Sequence, residues 1–399
     1  MKNLLKVNQK ILYFLLFFLT LAFLLINLDN FAGIDYSYWS KQIFGYYKQI
    51  KTGQIFPAFF LSHPAATVLH IGSFSIFIQS WFKNVKLDQI YLAIKIPFVL
   101  IVSFFIPLIY YLLKKINFSK KVSFLTALLI SLNTLIWRSN PADILFGIFS
   151  TTSILIFIIY LKEKKNSFLY LSAFLCGLSI LSRFSGVLIL PVILFLIIVF
   201  KHRYDVNYRN IFKKLLIYIL IILIIFLIFW PNLWFSGIDP LINKWQGNQN
   251  ALIIQTNHTN SKAINIINNF CDTIEALPGL ELIFSSLFLL FSINFFLKKK
   301  RTVQEFLSII LFIIVIFFFT AALFIKPKIW SIRYSIPALI ILDIIVSYTI
   351  FRGYKWLKQK MSKKIVIIPY ILIIIILYIF SNLETFIQFK VFRFLLKIF

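Results

Sequence analysis

Eleven apolar runs divide this chain, each near the length that carries a helix across about 30 Å of hydrocarbon. They cover residues 11–28, 90–113, 121–137, 141–161, 167–182, 184–200, 213–231, 281–297, 303–325, 332–351 and 364–381. Only 14% of the residues are charged and 60% are apolar, which leaves too little polar surface to coat a water-soluble globule. The fold class that follows is an all-α polytopic membrane protein of about 11 transmembrane helices. The first run follows Lys2, Lys6 and Lys10 and has no small-x-small cleavage site after it. It is expected to stay as the first span rather than to be removed as a signal peptide.

Segment 65–82 is also apolar, but it carries His70, Ser73, Ser75, Gln79 and Ser80. It reads either as a twelfth span or as a helix lying in the interface, and charge decides between the two. If 65–82 stays on the outer face, the short loops on the N-terminal side hold 25 Lys and Arg and the outer segments hold 14. Lys95 and Arg183, within expected helices, complete the 41 basic residues. A full span at 65–82 would invert every later loop and move the Lys-rich ones outside, against the rule that basic loops stay cytoplasmic. The expected topology is therefore multi-pass, with the N-terminus in the cytoplasm and the C-terminus outside. The chain is expected to form a single domain over 1–399, with interfacial helices in two long outer segments, 29–89 and 232–280, capping the bundle.

A net charge of +28 would suggest nucleic acid in a soluble chain. Here the basic residues are scattered through short loops as orientation anchors, so no nucleic-acid partner is expected. Cys176 and Cys271 form neither a C-x-x-C pair nor a zinc spacing. Acidic residues show the opposite bias to basic ones: most of them, Asp35 and Asp143 included, fall outside or at the outer boundary. The outer face is where chemistry is expected.

Asp35 stands in G-I-D-Y-S-Y-W, just after the first span. A carboxylate that close to hydrocarbon is partly desolvated, which raises its pKa and suits a general base; a solvated loop aspartate is the other reading. Asp143 lies in the turn R-S-N-P-A-D with Arg138. Helix capping and a functional role as a second acidic site are equally open for Asp143. Arg183 interrupts an apolar hairpin, and an ionisable residue at membrane depth is by default a functional hypothesis. Lys95, Arg138, Arg183, Lys326, Lys328 and Arg333 all fall at or near the outer boundary, as anion ligands or as snorkelling anchors. One cation about 5 Å from a phosphate, at an effective dielectric near 20, is worth roughly 3 kcal/mol.

Taken in order, these motifs resemble those of the C-type (GT-C) superfamily of membrane glycosyltransferases, near the protein O-mannosyltransferases and the lipid A aminoarabinose transferase. Asp35, Gly53 and His63-Pro64 follow the order of the family's first outer loop, and Asp143 that of its second acidic motif. Lys95-Ile-Pro97 stands for an Arg-x-Pro, and L-S-I-L-S-R-F-S-G-V-L-I-L-P surrounds Arg183. W-P-N-L-W with Asp239-Pro240 opens the late loop, and Arg333-Tyr334 with Pro337 matches an Arg-Tyr-x-x-Pro. The likeness runs over roughly 10–350. It departs where Tyr36 replaces a second acidic residue, where H-P-A-A replaces a double proline, and at Lys95.

The resemblance implies a donor sugar joined through phosphate to a polyprenyl chain. It also implies an acceptor, left unidentified, on the outer face of the plasma membrane. Asp35 would deprotonate the acceptor hydroxyl, which displaces the lipid phosphate and inverts the anomeric centre. The six basic residues would hold the departing phosphate, with Tyr36, His63 and His258 as donor or acceptor contacts. No cofactor is implied with certainty; His63 with Asp35 or Asp143 would suit a divalent cation, but no His-x-x-His or Glu-x-x-His spacing supports one. Two other classes use related substrates: a transporter or flippase of lipid-linked sugars, and a surface-polysaccharide ligase or polymerase.

Overall fold

A computed structural model describes residues 9–28, 36–53, 65–82, 91–133, 136–137, 139–204, 208–230, 302–325 and 335–360. The runs expected at 281–297 and 364–381 lie outside these residues, as does the late outer segment 232–280. Among the described residues all regular structure is helical. In chain order the helices are α1 (Gln9–Ile26), α2 (Tyr36–Thr52), α3 (Ala66–Ser80), α4 (Tyr91–Lys115), α5 (Lys120–Leu132) and α6 (Pro141–Glu163). They continue as α7 (Asn166–Ser182), a 3-10 turn (Phe184–Leu188), α8 (Ile189–Tyr204), α9 (Tyr208–Phe229), α10 (Val303–Ile325) and α11 (Ile336–Lys360). Six of these are long and apolar enough to cross a bilayer: α1, α4, α6, α9, α10 and α11. The chain is thus a multi-pass helical membrane protein. The segment at 65–82 forms a helix of 15 residues, shorter than a span.

The described helices group into two compact units. One takes Phe17–Leu108 with Trp137–Ile266, and the other takes Met1–Leu16, Ile109–Ile136 and Ile267–Phe399.

In the first unit α6 is the central helix. Of its most apolar stretch 94% is buried, against 17% for α9, whose remaining apolar side chains are left for lipid. Between apolar helices in lipid there is no hydrophobic drive to associate, so small residues and hydroxyl pairs hold the contact. Ser150 Oγ meets Ser179 Oγ of α7 at 2.7 Å, and Ser153 Oγ donates to the Ser172 carbonyl at 2.9 Å. Tyr218 of α9 brings its hydroxyl to both, 3.2 Å from Ser153 Oγ and 3.1 Å from Ser172 Oγ. Gly177 admits Ile225 of α9, whose Cγ2 methyl would lie 2.9 Å from any added Cβ.

In the second unit α11 packs against α5 and α10. Asn133, which ends α5, donates from Nδ2 to Asp343 Oδ2 at 3.1 Å, so the carboxylate buried in α11 is hydrogen-bonded. Helix α10 opens with a reciprocal cap: Glu305 Oε2 accepts from the Thr302 amide at 2.8 Å, and Thr302 Oγ1 accepts from the Glu305 amide at 3.3 Å. The other oxygen of Glu305 accepts from Arg352 at 2.9 Å.

Candidate active site

In the first unit, the end of α7 and the start of α6 come together. Helix α7 stops at Ser182 because Arg183 turns to an extended backbone, φ −153° and ψ 138°. The chain then tightens into the 3-10 turn, with the Gly186 amide donating to the Arg183 carbonyl at 2.9 Å. Helix α6 starts at Pro141, where its missing N–H costs nothing. Asn140 supplies the cap, its Oδ1 accepting from the Asp143 amide at 2.9 Å. The capping role read for Asp143 thus falls to Asn140, and the Asp143 side chain makes an ion pair with Arg183. The carboxylate is 0% exposed and the arginine side chain 8% exposed, so water screens neither.

The hairpin that presents Arg183 has no spare room. A Cβ on Gly186 would stand 2.6 Å from the Ile180 amide nitrogen and 2.8 Å from the Ser179 carbonyl oxygen, both backbone atoms that cannot swing aside. Gly186→Ala is therefore expected to open the turn at a cost of about 1–3 kcal/mol. A fall in thermal midpoint of the detergent-solubilised protein would register it, and an unchanged midpoint would contradict this packing.

Two contacts that sequence reading missed tie α2 and α3 to this hairpin's neighbourhood. Thr67 Oγ1 meets Ser182 Oγ at 2.7 Å, one residue before Arg183. One turn on, His70 bridges two elements: its Nε2 lies 3.0 Å from the Phe229 carbonyl and its Nδ1 3.1 Å from the Tyr46 hydroxyl. A carbonyl only accepts, so Nε2 carries the hydrogen, and Nδ1 of the neutral ring accepts from Tyr46. His70 thereby satisfies one of the carbonyls that the end of α9 leaves open. Burial holds the His70 pKa below its ordinary value, opposed by the bond to Phe229, and burial pushes the Tyr46 hydroxyl up to about 12. His70 and Thr67 were visible as polar residues in an apolar run. Their partners are 24, 115 and 159 residues away in sequence, and no local signal names them.

Lys95 is 1% exposed, and its Nζ donates to the Leu28 carbonyl at 2.6 Å, just past the end of α1. Gly53 terminates α2 in the left-handed region at φ 67°, a conformation glycine adopts without strain. Asp35, His63, Arg138, His258, Lys326, Lys328 and Arg333 lie outside the described residues, as does the side chain of Tyr36, whose backbone begins α2. Of the residues singled out from sequence, the structure therefore brings together Asp143 and Arg183. Among the described residues no group of three or more His, Cys, Asp or Glu gathers to hold a metal ion.

The apo Archaeoglobus fulgidus oligosaccharyltransferase shares the fold with a TM-score of 0.57 at 14% identity, over 95% of this chain and 56% of that one. The present chain thus spans little more than half the length of that relative. Archaeal oligosaccharyltransferase AglB from Archaeoglobus fulgidus, in complex with an inhibitory peptide and a dolichol-phosphate, also aligns, with a TM-score of 0.45 at 14% identity over 79% of this chain and 47% of that one. Residues 75–235 match the family model described as dolichyl-phosphate-mannose-protein mannosyltransferase. That stretch contains both Asp143 and Arg183. No curated protein matches the chain. Over residues 75–235 the chain is thus similar to that mannosyltransferase family, and its fold is similar to that of the apo oligosaccharyltransferase.

Proposed function

We propose that this protein transfers a sugar from a polyprenyl-phosphate donor to an acceptor on the outer face of the plasma membrane, with inversion of the anomeric centre. The observation that carries the reading is the buried Arg183–Asp143 pair, which lies within the family-matched segment of a C-type fold. A lipid phosphate is already a good leaving group, so the protein need supply no general acid; it must stabilise the anion that departs. Arg183 is the cation for that task, and Asp143 fixes its guanidinium before the phosphate arrives, so little reorganisation is needed during the reaction. Asp35 is the general base. The acceptor oxygen loses its proton to Asp35 and bonds to the anomeric carbon as the bond to the lipid phosphate breaks.

Arg138, Lys326, Lys328 and Arg333 complete the anion-binding set, and Tyr36, His63 and His258 contact donor or acceptor. Lys95 belongs to the same set and, through its bond to the Leu28 carbonyl, anchors the end of α1. Segments 29–89 and 232–280 cap one transmembrane domain on its outer face, with the N-terminus in the cytoplasm, a topology supported by the loop charge bias.

The test is direct. Purified full-length protein in proteoliposomes, given a panel of radiolabelled polyprenyl-phosphate sugars and membrane acceptors, is expected to move label onto a non-donor product. Label that crosses the bilayer still attached to its lipid would make the protein a flippase and overturn the reading.

A further inference from the structure

Arg183 stands where its own helix constrains it least. Helix α7 has just ended, and the carbonyls of a last turn have no partners within the helix. A small swivel of the backbone there becomes a large displacement at the far end of a long side chain. Two backbone bonds bracket the residue: its amide donates to the Ser179 carbonyl and its carbonyl accepts from the Gly186 amide, both at 2.9 Å. Its neighbours in sequence are packed. Leu181 lies in a buried apolar cluster with Ala66, Ile225 and Trp230, and Phe184 packs on that cluster, its ring edge-to-face with the Trp230 indole at 5.8 Å. Apolar contacts of this kind are non-directional, so they hold the hairpin down without fixing how it is turned.

A directional contact reaches the hairpin from α3. Ser182 donates its hydroxyl hydrogen to the Leu178 carbonyl at 2.8 Å. In its 2.7 Å contact with Thr67 it is therefore the acceptor, and Thr67 donates. Both residues are buried, so water does not compete for either hydroxyl. Ala66, beside Thr67, already docks the start of α3 on the apolar cluster. The hydroxyl pair is thus spare for docking, and what it adds is a fixed register for the residue preceding Arg183.

We infer that Thr67 is a positioning residue for the transfer reaction: through Ser182 it sets the direction in which Arg183 presents its guanidinium. The inference rests on the role proposed for Arg183 and adds a residue of another helix on which that role depends. Thr67→Val tests it cleanly. Valine keeps nearly the same shape and removes the donor, while Ser182 keeps its bond to Leu178, so no buried donor is left unpaired.

The experiment uses the full-length chain in proteoliposomes with a radiolabelled polyprenyl-phosphate sugar and membrane acceptors, and follows the thermal midpoint in parallel. Thr67→Val is expected to lower kcat about 10–100-fold, the scale of a misplaced catalytic group, with donor KM and midpoint near the wild type. Thr67→Ser, which keeps the hydroxyl, should restore kcat. Ser182→Ala should match Thr67→Val, and the two together should be no worse than either. Arg183→Lys keeps the charge beside Asp143 but lacks the planar fork whose direction Thr67 sets. In that background Thr67→Val should cost less than about twofold. Wild-type kcat in Thr67→Val, with Arg183→Met inactive, would overturn the positioning role and leave the reading of Arg183 standing. A loss of kcat that tracks a lowered midpoint would make the hydroxyl pair a fold staple and overturn it too. An undiminished loss in the Arg183→Lys background would rule out the route through Arg183. Full transfer by Arg183→Met would bring down the role of Arg183, and the inference with it.

Discussion

Asp35→Asn is expected to lower the rate of sugar transfer by about 10²–10⁴-fold, the usual contribution of a positioned general base. The amide is nearly isosteric with the carboxylate but takes up no proton, so donor binding should persist while kcat falls. The measurement is single-turnover transfer from a saturating polyprenyl-phosphate sugar, with donor binding followed separately. Retained wild-type turnover would remove Asp35 from the mechanism. Tyr36→Phe makes an informative companion. Tyr36 stands where the resembled family carries a second acidic residue, so a large loss there would move part of the chemistry onto the phenol.

The second large effect concerns Arg183, where stability and activity should separate. Arg183→Met leaves the Asp143 carboxylate buried without its cation, and breaking such a pair costs about 3–5 kcal/mol. The double variant Arg183→Met, Asp143→Leu removes both charges, and replacing a buried pair with apolar residues is often neutral or stabilising. Thermal unfolding in detergent is therefore expected to show a strongly destabilised single variant and a double variant near the wild type. Transfer activity should be lost in both, because the double variant restores packing but not the cation proposed to hold the phosphate. An active double variant would reduce the pair to a structural staple.

Hydropathy made the helices legible, but not all of their ends. Within the run read as 121–137, α5 ends at Leu132, where Asn133 turns to φ −74°, ψ 95° and gives its side chain to Asp343, and Ile136 and Trp137 are helical again. Composition alone does not show that break. At 332–351 the error runs the other way. The helix continues to Lys360 through a polar, basic stretch in which Arg352 pairs with Glu305.

Within the candidate site, Arg183 was legible because a charge in an apolar hairpin carries a desolvation cost that something must offset. Asp143 was legible as an acidic residue at a helix start, yet its partner lies 40 positions on. The choice between cap and site depended on Asn140, whose side chain takes the cap. His70, by contrast, was one polar residue among several in its run, and only the packing of α2 and α9 against α3 gives it two partners.

The central claim is a single displacement at the anomeric carbon, with lipid phosphate leaving and an acceptor hydroxyl arriving. Its most direct test is the anomeric configuration of the product, read by NMR from a donor of defined configuration after transfer by the purified full-length protein. The account predicts a product of opposite configuration and release of polyprenyl phosphate in equal amount. A product that keeps the donor's configuration, or sugar that never leaves its lipid, would contradict it.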